Sequence, residues 1–460
     1  MLREWLCKPA TQASLVLPLA LGLAGCGNNL YHTIGPPPSD TVTFPTASTQ
    51  GWLQQYGTGY VSTAQYSHNG DTAYGVATDA QGNVIVVDQT YGAFPGFVNN
   101  GSAEFAVVKF DNSGNRIWTQ QLGTGSGDYP NAIAVDAQGN IFVGGATDGA
   151  FPGFTNSAGA EQCVVIKLTP AGQTSWIQQF SSSLPCQVTA LAADAQGNVI
   201  VGSESLNNVS NGYTQGGDVS KLAAATGATL WNQGYAGTNS MSYGVTGVGV
   251  DNQGNVVAVG DFPSTGTSNS TTDMAVKLDG STGQPVWQQA PATFSPYGGQ
   301  LLIYTQLALD ANGNVFLGGV DQTSGYNTCA VAELTSAGTQ QWQQEFGAAQ
   351  GCIPGGMATD TAGNVLMTGN MEVPFFPSSN PPWQDDAFVA KLTGSGQAVW
   401  LQQFGTGSDV PKGTYFDSAL VFVSTDSQNH AYVAGTTRGA FPGFTNSNNV
   451  HELFVTQFAP

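Results

Sequence analysis

One phrase, Asp-x-x-Gly-Asn, returns along the chain: Asp79-Ala80-Gln81-Gly82-Asn83, then again from Asp136, Asp194, Asp251, Asp310 and Asp360. A degenerate seventh copy is Asp426-Ser427-Gln428-Asn429-His430. Neighbouring copies stand 50 to 66 residues apart. Tryptophan keeps the same rhythm at Trp52, Trp118, Trp176, Trp231, Trp287, Trp342 and Trp400. Two places after each one comes Gln: Gln54, Gln120, Gln178, Gln233, Gln289, Gln344 and Gln402. Two independent marks in all seven units define a repeat, and a period of this length restricts the chain to stacked or radial repetition.

Each unit holds four strand-like runs. In the second they are Ala132–Val135 before the Asp, Ile141–Gly145 after Gly-Asn, Val164–Leu168, and Trp176–Phe180. Between the first two, Asp caps a turn and Gly takes a positive φ, which suits a tight hairpin. Composition agrees. Only 9% of residues are charged, against about 25% in ordinary domains, and coiled coils need far more Glu, Lys and Arg. There are 61 glycines and 10% aromatics, as short strands and tight turns require. The expected fold is all-β: a seven-bladed β-propeller of four-stranded antiparallel blades.

Two details refine it. The last unit stops at Phe458-Ala459-Pro460 without its own Trp run, while a surplus Trp run stands at Trp52. Joining that N-terminal strand to the last blade would close the ring and leave no open edge. Two places before each turn Asp sits a small residue: Ala77, Ala134, Ala192, Gly249, Ala308, Ala358 or Ser424. Three places before sits a larger apolar one, from Val76 to Val423. Opposite faces of one strand therefore differ in size, which fits the narrow centre of the ring. The first strand is expected innermost and the Trp strand outermost.

Asp-x-x-Gly-Asn-Val, then Gly-x-Thr and Phe-Pro, then Val-Val-Lys-Leu, then Trp, resembles the bacterial seven-bladed β-propeller repeat (SBBP type) over roughly residues 51–460. That family is defined by fold and transfers no catalytic residues. The spacing Gly172 to Trp176 and Gly283 to Trp287 is also similar, more weakly, to the Trp-docking blades of quinoprotein dehydrogenases and of outer-membrane assembly lipoproteins.

The N-terminus reads as an address. Arg3 and Lys8 precede an apolar run, Leu15–Leu23, that is too short to span a bilayer. It ends in Leu23-Ala24-Gly25-Cys26, which resembles the lipobox of bacterial lipoproteins. The resemblance implies a signal peptide over residues 1–25, lipidation of Cys26 and a membrane anchor. Gly27 rather than Asp follows, favouring the outer membrane. Residues 26–50, with Pro36-Pro37-Pro38, are expected to be a tether and residues 51–460 the propeller.

Four cysteines remain in the repeats besides Cys7 and Cys26. Cys163 and Cys186, like Cys329 and Cys352, are 23 apart and occupy the same two slots of their units. Disulfides Cys163–Cys186 and Cys329–Cys352 are expected, formed in an oxidising compartment. Each is worth about 3 kcal/mol in the chain-entropy model.

The net charge is −20 and the cations are scattered singly, which excludes nucleic acid as a partner. Catalytic constellations are equally scarce. His32, His68, His430 and His451 stand apart, and no nucleophile elbow, zinc motif or phosphate loop occurs. The seven Asp share one hairpin slot, so turn capping outweighs calcium binding. The recurring Lys109, Lys167, Lys221, Lys277 and Lys391 give way to Glu333 and Gln457 in two units, which suits a structural partner within each blade. No metal, cofactor or catalytic residue is expected, and no polar cluster is seen to depart from the repeat.

One motif stands out. Gly-Ala-Phe-Pro-Gly-Phe occurs at 92–97, 149–154 and 439–444, in units one, two and seven, which are neighbours only in a closed ring. The sixth unit has Phe375, Phe376 and Trp383 there. Phe94, Pro95, Phe97, Phe151, Pro152, Phe154, Phe441, Pro442 and Phe444 have two readings. As loop anchors they pack under their blades, the weightier reading. If exposed, they form a patch for protein or glycan. The functional expectation is a monomeric, lipid-anchored, non-enzymatic binding or scaffold propeller of the envelope. The alternative is an envelope enzyme of quinoprotein-like or polysaccharide-acting type.

Overall fold

The structure, a computed structural model, describes residues 49–61, 70–100, 102–156, 159–180, 185–209, 212–235, 244–263, 271–289, 302–321, 328–346, 352–371, 386–405, 418–446 and 450–460. The expected signal peptide, Cys26 and nearly all of the tether lie outside these residues. So do His32, His68, Phe375, Phe376 and Trp383.

The described residues form 28 strands, β1–β28, in seven four-stranded antiparallel sheets. The innermost strands are β2 (Asp71–Thr78), β6 (Asp128–Val135), β10 (Cys186–Ala193), β14 (Val245–Val250), β18 (Leu302–Leu309), β22 (Cys352–Thr359) and β26 (Ser418–Thr425). Each lies against the innermost strand on either side, and β26 lies against β2, so the circle is complete. The small residue of each inner strand permits this approach: a Cβ at Gly249 would come within 2.1 Å of Leu309. In blade 1, β3 (Val84–Thr90) and β4 (Glu104–Phe110) are buried throughout, while β5 (Arg116–Leu122) is half exposed. A sheet sandwiched between two others buries both faces of its middle strands. This is why Val84-Ile85-Val86-Val87 is continuously apolar rather than alternating.

The ring closes as the surplus Trp strand predicts. β1 (Gln50–Tyr56) pairs with β28 (Glu452–Phe458), matching Leu53 with Thr456, Gln54 with Val455, Gln55 with Phe454 and Tyr56 with Leu453. Ala459 N–H donates to the Thr49 carbonyl at 2.9 Å, the counterpart of Asp111 N–H donating to Asn115 in the blade 1 turn.

Each repeat mark has a physical role. The Asp79 carboxylate accepts from the backbone N–H of Gln81 and Asn83 and from the Asn83 amide. The Lys109 ammonium sits on the same carboxylate at 2.8 Å. Asp194, Asp251 and Asp360 hold Lys221, Lys277 and Lys391 equally closely, and Asp136 holds Lys167 at 3.9 Å. These are buried pairs, so their worth depends on every remaining donor and acceptor being matched. Lys221 meets that condition by also donating to the Gly280 carbonyl of the next blade, at 2.8 Å. Trp231 Nε1 donates to the same oxygen at 3.2 Å. Lys and Trp latch blades 1 to 4 to their neighbours in this way. The Trp ring lies on the neighbour's turn glycine: a Cβ at Gly283 would sit 2.7 Å from Trp231.

Three blades depart from the latch, and in blade 7 Gln457 stands where Lys would be. Trp400 is buried with no acceptor for Nε1. Its neighbour is the seam, where β28 and β1 are not joined by a turn. In blade 5, Glu333 faces Asp310 where five other blades have Lys. Burial raises the Glu333 carboxyl and the Asp310 charge raises it further, against a bond from Trp342. Glu333→Lys is expected to restore the missing ion pair and raise stability at pH 7 by about 1.5–3 kcal/mol, read as a higher urea midpoint. An unchanged or lower midpoint would count against the latch.

Both disulfides form, Cys163–Cys186 and Cys329–Cys352. Each joins the third strand of one blade to the first strand of the next, placing the chain in an oxidising, extracytoplasmic compartment.

Candidate functional site

The three Gly-Ala-Phe-Pro-Gly-Phe segments link second and third strands on one rim of the ring, in blades 7, 1 and 2. Each is a tight turn closed from the second Phe N–H to the first Phe carbonyl: Phe97 to Phe94, Phe154 to Phe151 and Phe444 to Phe441, at 2.9–3.0 Å. Proline takes the first corner and glycine the second, with φ of 92° at Gly96 and 91° at Gly153 and Gly443. That is a type II turn, which demands φ > 0 at its third residue.

A glutamine three places after Trp fixes each turn. Gln121 Nε2 donates to the Gly92 carbonyl and its Oε1 accepts from Phe94 N–H, both at 3.0 Å. Gln179 does the same for Gly149 and Phe151, and Gln55 for Gly439 and Phe441. The seam strand β1 therefore also shapes the blade 7 loop. The sequence reading noted the Gln two places after Trp and missed this one. Its signal was present: blades 3, 4 and 5 have Gly234, Ala290 and Glu345 at that position.

The two readings of the motif divide by residue. Phe94, Phe151 and Phe441 are buried at 2–4% exposure and anchor the loops. Phe94 packs with Leu453 of blade 7, and Phe441 meets Phe454 edge-on at 5.2 Å. These three offer nothing to a partner. Pro95, Pro152 and Pro442 are exposed, and Phe97, Phe154 and Phe444 are half-buried. The available surface is the proline and the second phenylalanine.

The frame is constant but one position before its first Gly is not. It is Tyr91 in blade 1, Asp148 in blade 2 and Arg438 in blade 7. Tyr129 donates its hydroxyl to Asp148 at 3.2 Å, and burial with the Asp148 charge pushes the Tyr129 phenol up to about 12. Arg438 Nε donates to His451 Nε2. Tyr91 lies nearly parallel to Tyr60, ring centres 6.4 Å apart and planes 23° apart, and Gln89 donates to its hydroxyl. Beside this pair opens a cavity of about 440 Å³ lined by Tyr60, Tyr91, Phe97, Val98, Asn99 and Ser102 among others. Tyr60 and Tyr91 were not singled out from sequence, because neither recurs between units.

Beneath the rim, polar residues do depart from the repeat, contrary to the sequence expectation. The slot eight before the turn Asp holds Cys186 and Cys352 where blades are stapled, but Asp71 and Asp128 in blades 1 and 2. Asp128 accepts from Thr124 N–H, Thr124 Oγ1 and Thr147 Oγ1. Burial nonetheless pushes its carboxyl up to about 6. Asp71 is likewise raised by burial, against bonds from Thr90 and Thr58. Asp88 is fully buried with no partner for either oxygen, and burial, then the Asp71 charge, holds it well above the carboxylate range. The Tyr56 hydroxyl is unpartnered as well.

These perturbed groups lie at blade interfaces and are enclosed, so they cannot reach a substrate. His430 instead accompanies Asp426 in the seventh turn at 2.9 Å. The turn carboxylates Asp79, Asp136, Asp194, Asp251 and Asp360 are engaged by lysine, asparagine and backbone donors, and no group of acidic, histidine or cysteine residues suited to a metal occurs among the described residues.

Residues 117–152, from the Trp118 strand through the blade 2 Phe-Pro, match the beta-propeller repeat family. No curated protein matches the chain. Among solved structures, BamB from Moraxella catarrhalis is 13% identical at a TM-score of 0.46, covering 90% of this chain and 100% of its own. The beta-propeller domain of the Trilobed protease from Pyrococcus furiosus is 8% identical at a TM-score of 0.46, covering 86% and 94%. These likenesses concern the fold alone.

Proposed function

We propose that this seven-bladed propeller is a non-enzymatic binding or scaffold module of the cell envelope. It is lipidated at Cys26, held to the outer membrane by residues 26–50, and engages a protein or glycan through the loops of blades 7, 1 and 2. One observation carries the reading. Three consecutive loops share a frame locked by proline, glycine and glutamine, yet vary at the residue displayed: Arg438, Tyr91 and Asp148. Rigid frames with variable tips suit recognition, since little freedom is lost on binding. An enzyme would need titratable groups converging in an open site, whereas Asp71, Asp88 and Asp128 are enclosed.

The test is capture from envelope extract by wild type and by the triple variant Phe97→Ser, Phe154→Ser, Phe444→Ser, each first shown to be folded. Loss of specific capture by the folded variant is expected; unchanged capture removes this surface. The mass of the mature N-terminus tests the anchor, and an unmodified Cys26 refutes it.

A further inference from the structure

We propose that the Cys329–Cys352 disulfide is a redox-set clasp for the ring. It replaces the lysine latch at the joint between blades 5 and 6, so that this joint closes only when its two thiols are oxidised. The proposal does not depend on the recognition surface.

The latch shows what this joint lacks. From blade 1 to blade 5, a lysine ammonium and a tryptophan Nε1–H both donate to one turn carbonyl of the next blade: Pro170, Ala224, Gly280 and Ser336 in turn. Between blades 5 and 6 the tryptophan half remains, with Trp342 Nε1 donating to the Gly394 carbonyl at 3.0 Å. The lysine slot holds Glu333, and an ionised carboxylate accepts hydrogen bonds but gives none. Glu333 also accepts from Trp342, so one N–H serves two acceptors. Glu333 is buried, where a shortage of donors is costly.

Other joints without a lysine crossing are tied by hydroxyls and backbone. Between blades 7 and 1, Ala73 N–H donates to Thr436 Oγ1, Thr78 Oγ1 to the Thr425 carbonyl and Asp71 N–H to the His451 carbonyl. Between blades 6 and 7, Thr368 Oγ1 donates to the Val421 carbonyl, Thr425 Oγ1 to the Thr359 carbonyl, and Thr361 to Asn429. Between blades 5 and 6, Thr359 Oγ1 reaches the Leu309 carbonyl, and the disulfide is added to it. Cys329 lies on β20 (Thr328–Leu334), four places before Glu333, and Cys352 opens β22. The covalent tie therefore leaves from the strand whose lysine is missing.

The second staple is placed differently. Cys163–Cys186 joins blades 2 and 3, where Lys167 and Trp176 already share the Ala224 carbonyl at 2.8 and 3.1 Å. It doubles a latch, whereas Cys329–Cys352 stands in for one.

Chemistry fixes when the clasp is set. One S–S bond forms from the Cys329 and Cys352 thiols. Their two electrons and two protons pass to an oxidant disulfide, which leaves as two thiols. In reducing surroundings that step does not occur. The joint then keeps apolar packing, such as Phe346 edge-on to Phe388 at 6.1 Å between ring centres, without the tie that the other joints have. After oxidation Cys329 and Cys352 are 0% and 1% exposed, so a soluble reductant reaches them only if the joint opens first. The closed ring keeps its state once it is made.

The experiment uses the detergent-solubilised full chain and four variants: Cys163→Ser with Cys186→Ser, Cys329→Ser with Cys352→Ser, Glu333→Lys, and Glu333→Lys added to the second pair. Hydrogen exchange is read at the amides of β10 and β22, and stability as the urea midpoint. Removing Cys329–Cys352 is expected to speed β22 exchange at least about tenfold. It should lower the midpoint at least twice as far as removing Cys163–Cys186, which should leave β10 exchange nearly unchanged. Glu333→Lys should recover at least half of the lost midpoint and raise it at least twice as much without the disulfide as with it, the sign of two devices acting on one joint. Wild type refolded in excess dithiothreitol should show the same fast β22 exchange. Equal losses from the two pairs, a Glu333→Lys gain that ignores the disulfide, or protected β22 amides in the reduced wild type overturns the proposal. If the Cys329→Ser, Cys352→Ser chain does not fold, rescue by Glu333→Lys supports the clasp, and failure of that rescue overturns it.

Discussion

A chain shortened to begin at Gly57 is expected to lose the folded propeller altogether. Residues 50–56 supply the fourth strand of blade 7, and their side chains fill the interface with blade 1. Trp52 lies 6.5 Å from Phe110 and 6.0 Å from Tyr432, and Tyr56 lies 5.3 Å from Phe110, between ring centres. Gln55 holds the Gly439–Phe441 loop. Truncating a core aromatic to Ala costs about 3–5 kcal/mol, and Trp52 and Tyr56 are half-buried, so each is worth a part of that. Losing two aromatics and a strand's hydrogen bonds therefore consumes most or all of a typical stability of about 5–15 kcal/mol. The bared edge of β28 would also offer unpaired backbone to other chains. Expression should give aggregates, and a peptide of residues 49–61 added during refolding should restore soluble monomer. A truncated chain that elutes as a monomer and unfolds cooperatively at the wild-type urea midpoint would remove ring closure as the basis of stability.

Ring closure was legible because counting needs no geometry. Seven Trp runs preceded seven Asp turns, and only a circle reconciles a surplus strand at one end with a deficit at the other. The disulfides were legible for a similar reason, since matched slots in two units pick the pairs. What escaped depends on register across a sheet or between sheets. Lys109 was assigned a partner within its blade, and Asp79 is that partner. Its second role, reaching the Pro170 carbonyl of the next blade at 3.4 Å, has no trace in spacing. The Phe-Pro motif was weighed as one object, yet Phe94 is core and Phe97 is rim; only the turn's direction separates them. Asp88 was missed because its repeat slot becomes evident only once strands are paired. Counted from the start of the second strand, that slot holds Gly145, Ser203, Gly260, Gly319, Gly369 and Gly435 in the other blades.

That exception should make the seam sensitive to pH. Asp88 faces the blade 7–blade 1 interface, with Asp71 and Tyr56 as its titratable neighbours and Arg116 acting on Tyr56 from further out. Its carboxyl is held well above 3.8 by burial, so the native state keeps a proton that the unfolded chain has released. Folding stability then falls as pH rises from the ordinary carboxylate range toward the raised value, and levels above it. Asp128 adds a fall of the same sign that ends near pH 6. The turn carboxylates Asp79, Asp194, Asp251 and Asp360 act oppositely. Burial pulls each up, but the lysine and asparagine bonds outweigh it and leave each lowered, so their contribution fades as pH falls. Asp88→Ser copies the residue of blade 3 and removes an unsatisfied carboxyl. It is expected to stabilise the propeller at pH 8 by about 1–3 kcal/mol, the cost of a buried unpaired polar group, with a smaller gain at pH 4. The difference between variant and wild-type urea midpoints should widen steadily with pH. A constant difference across that range would mean that Asp88 keeps its charge state on folding, and the seam would then be no pH-dependent element.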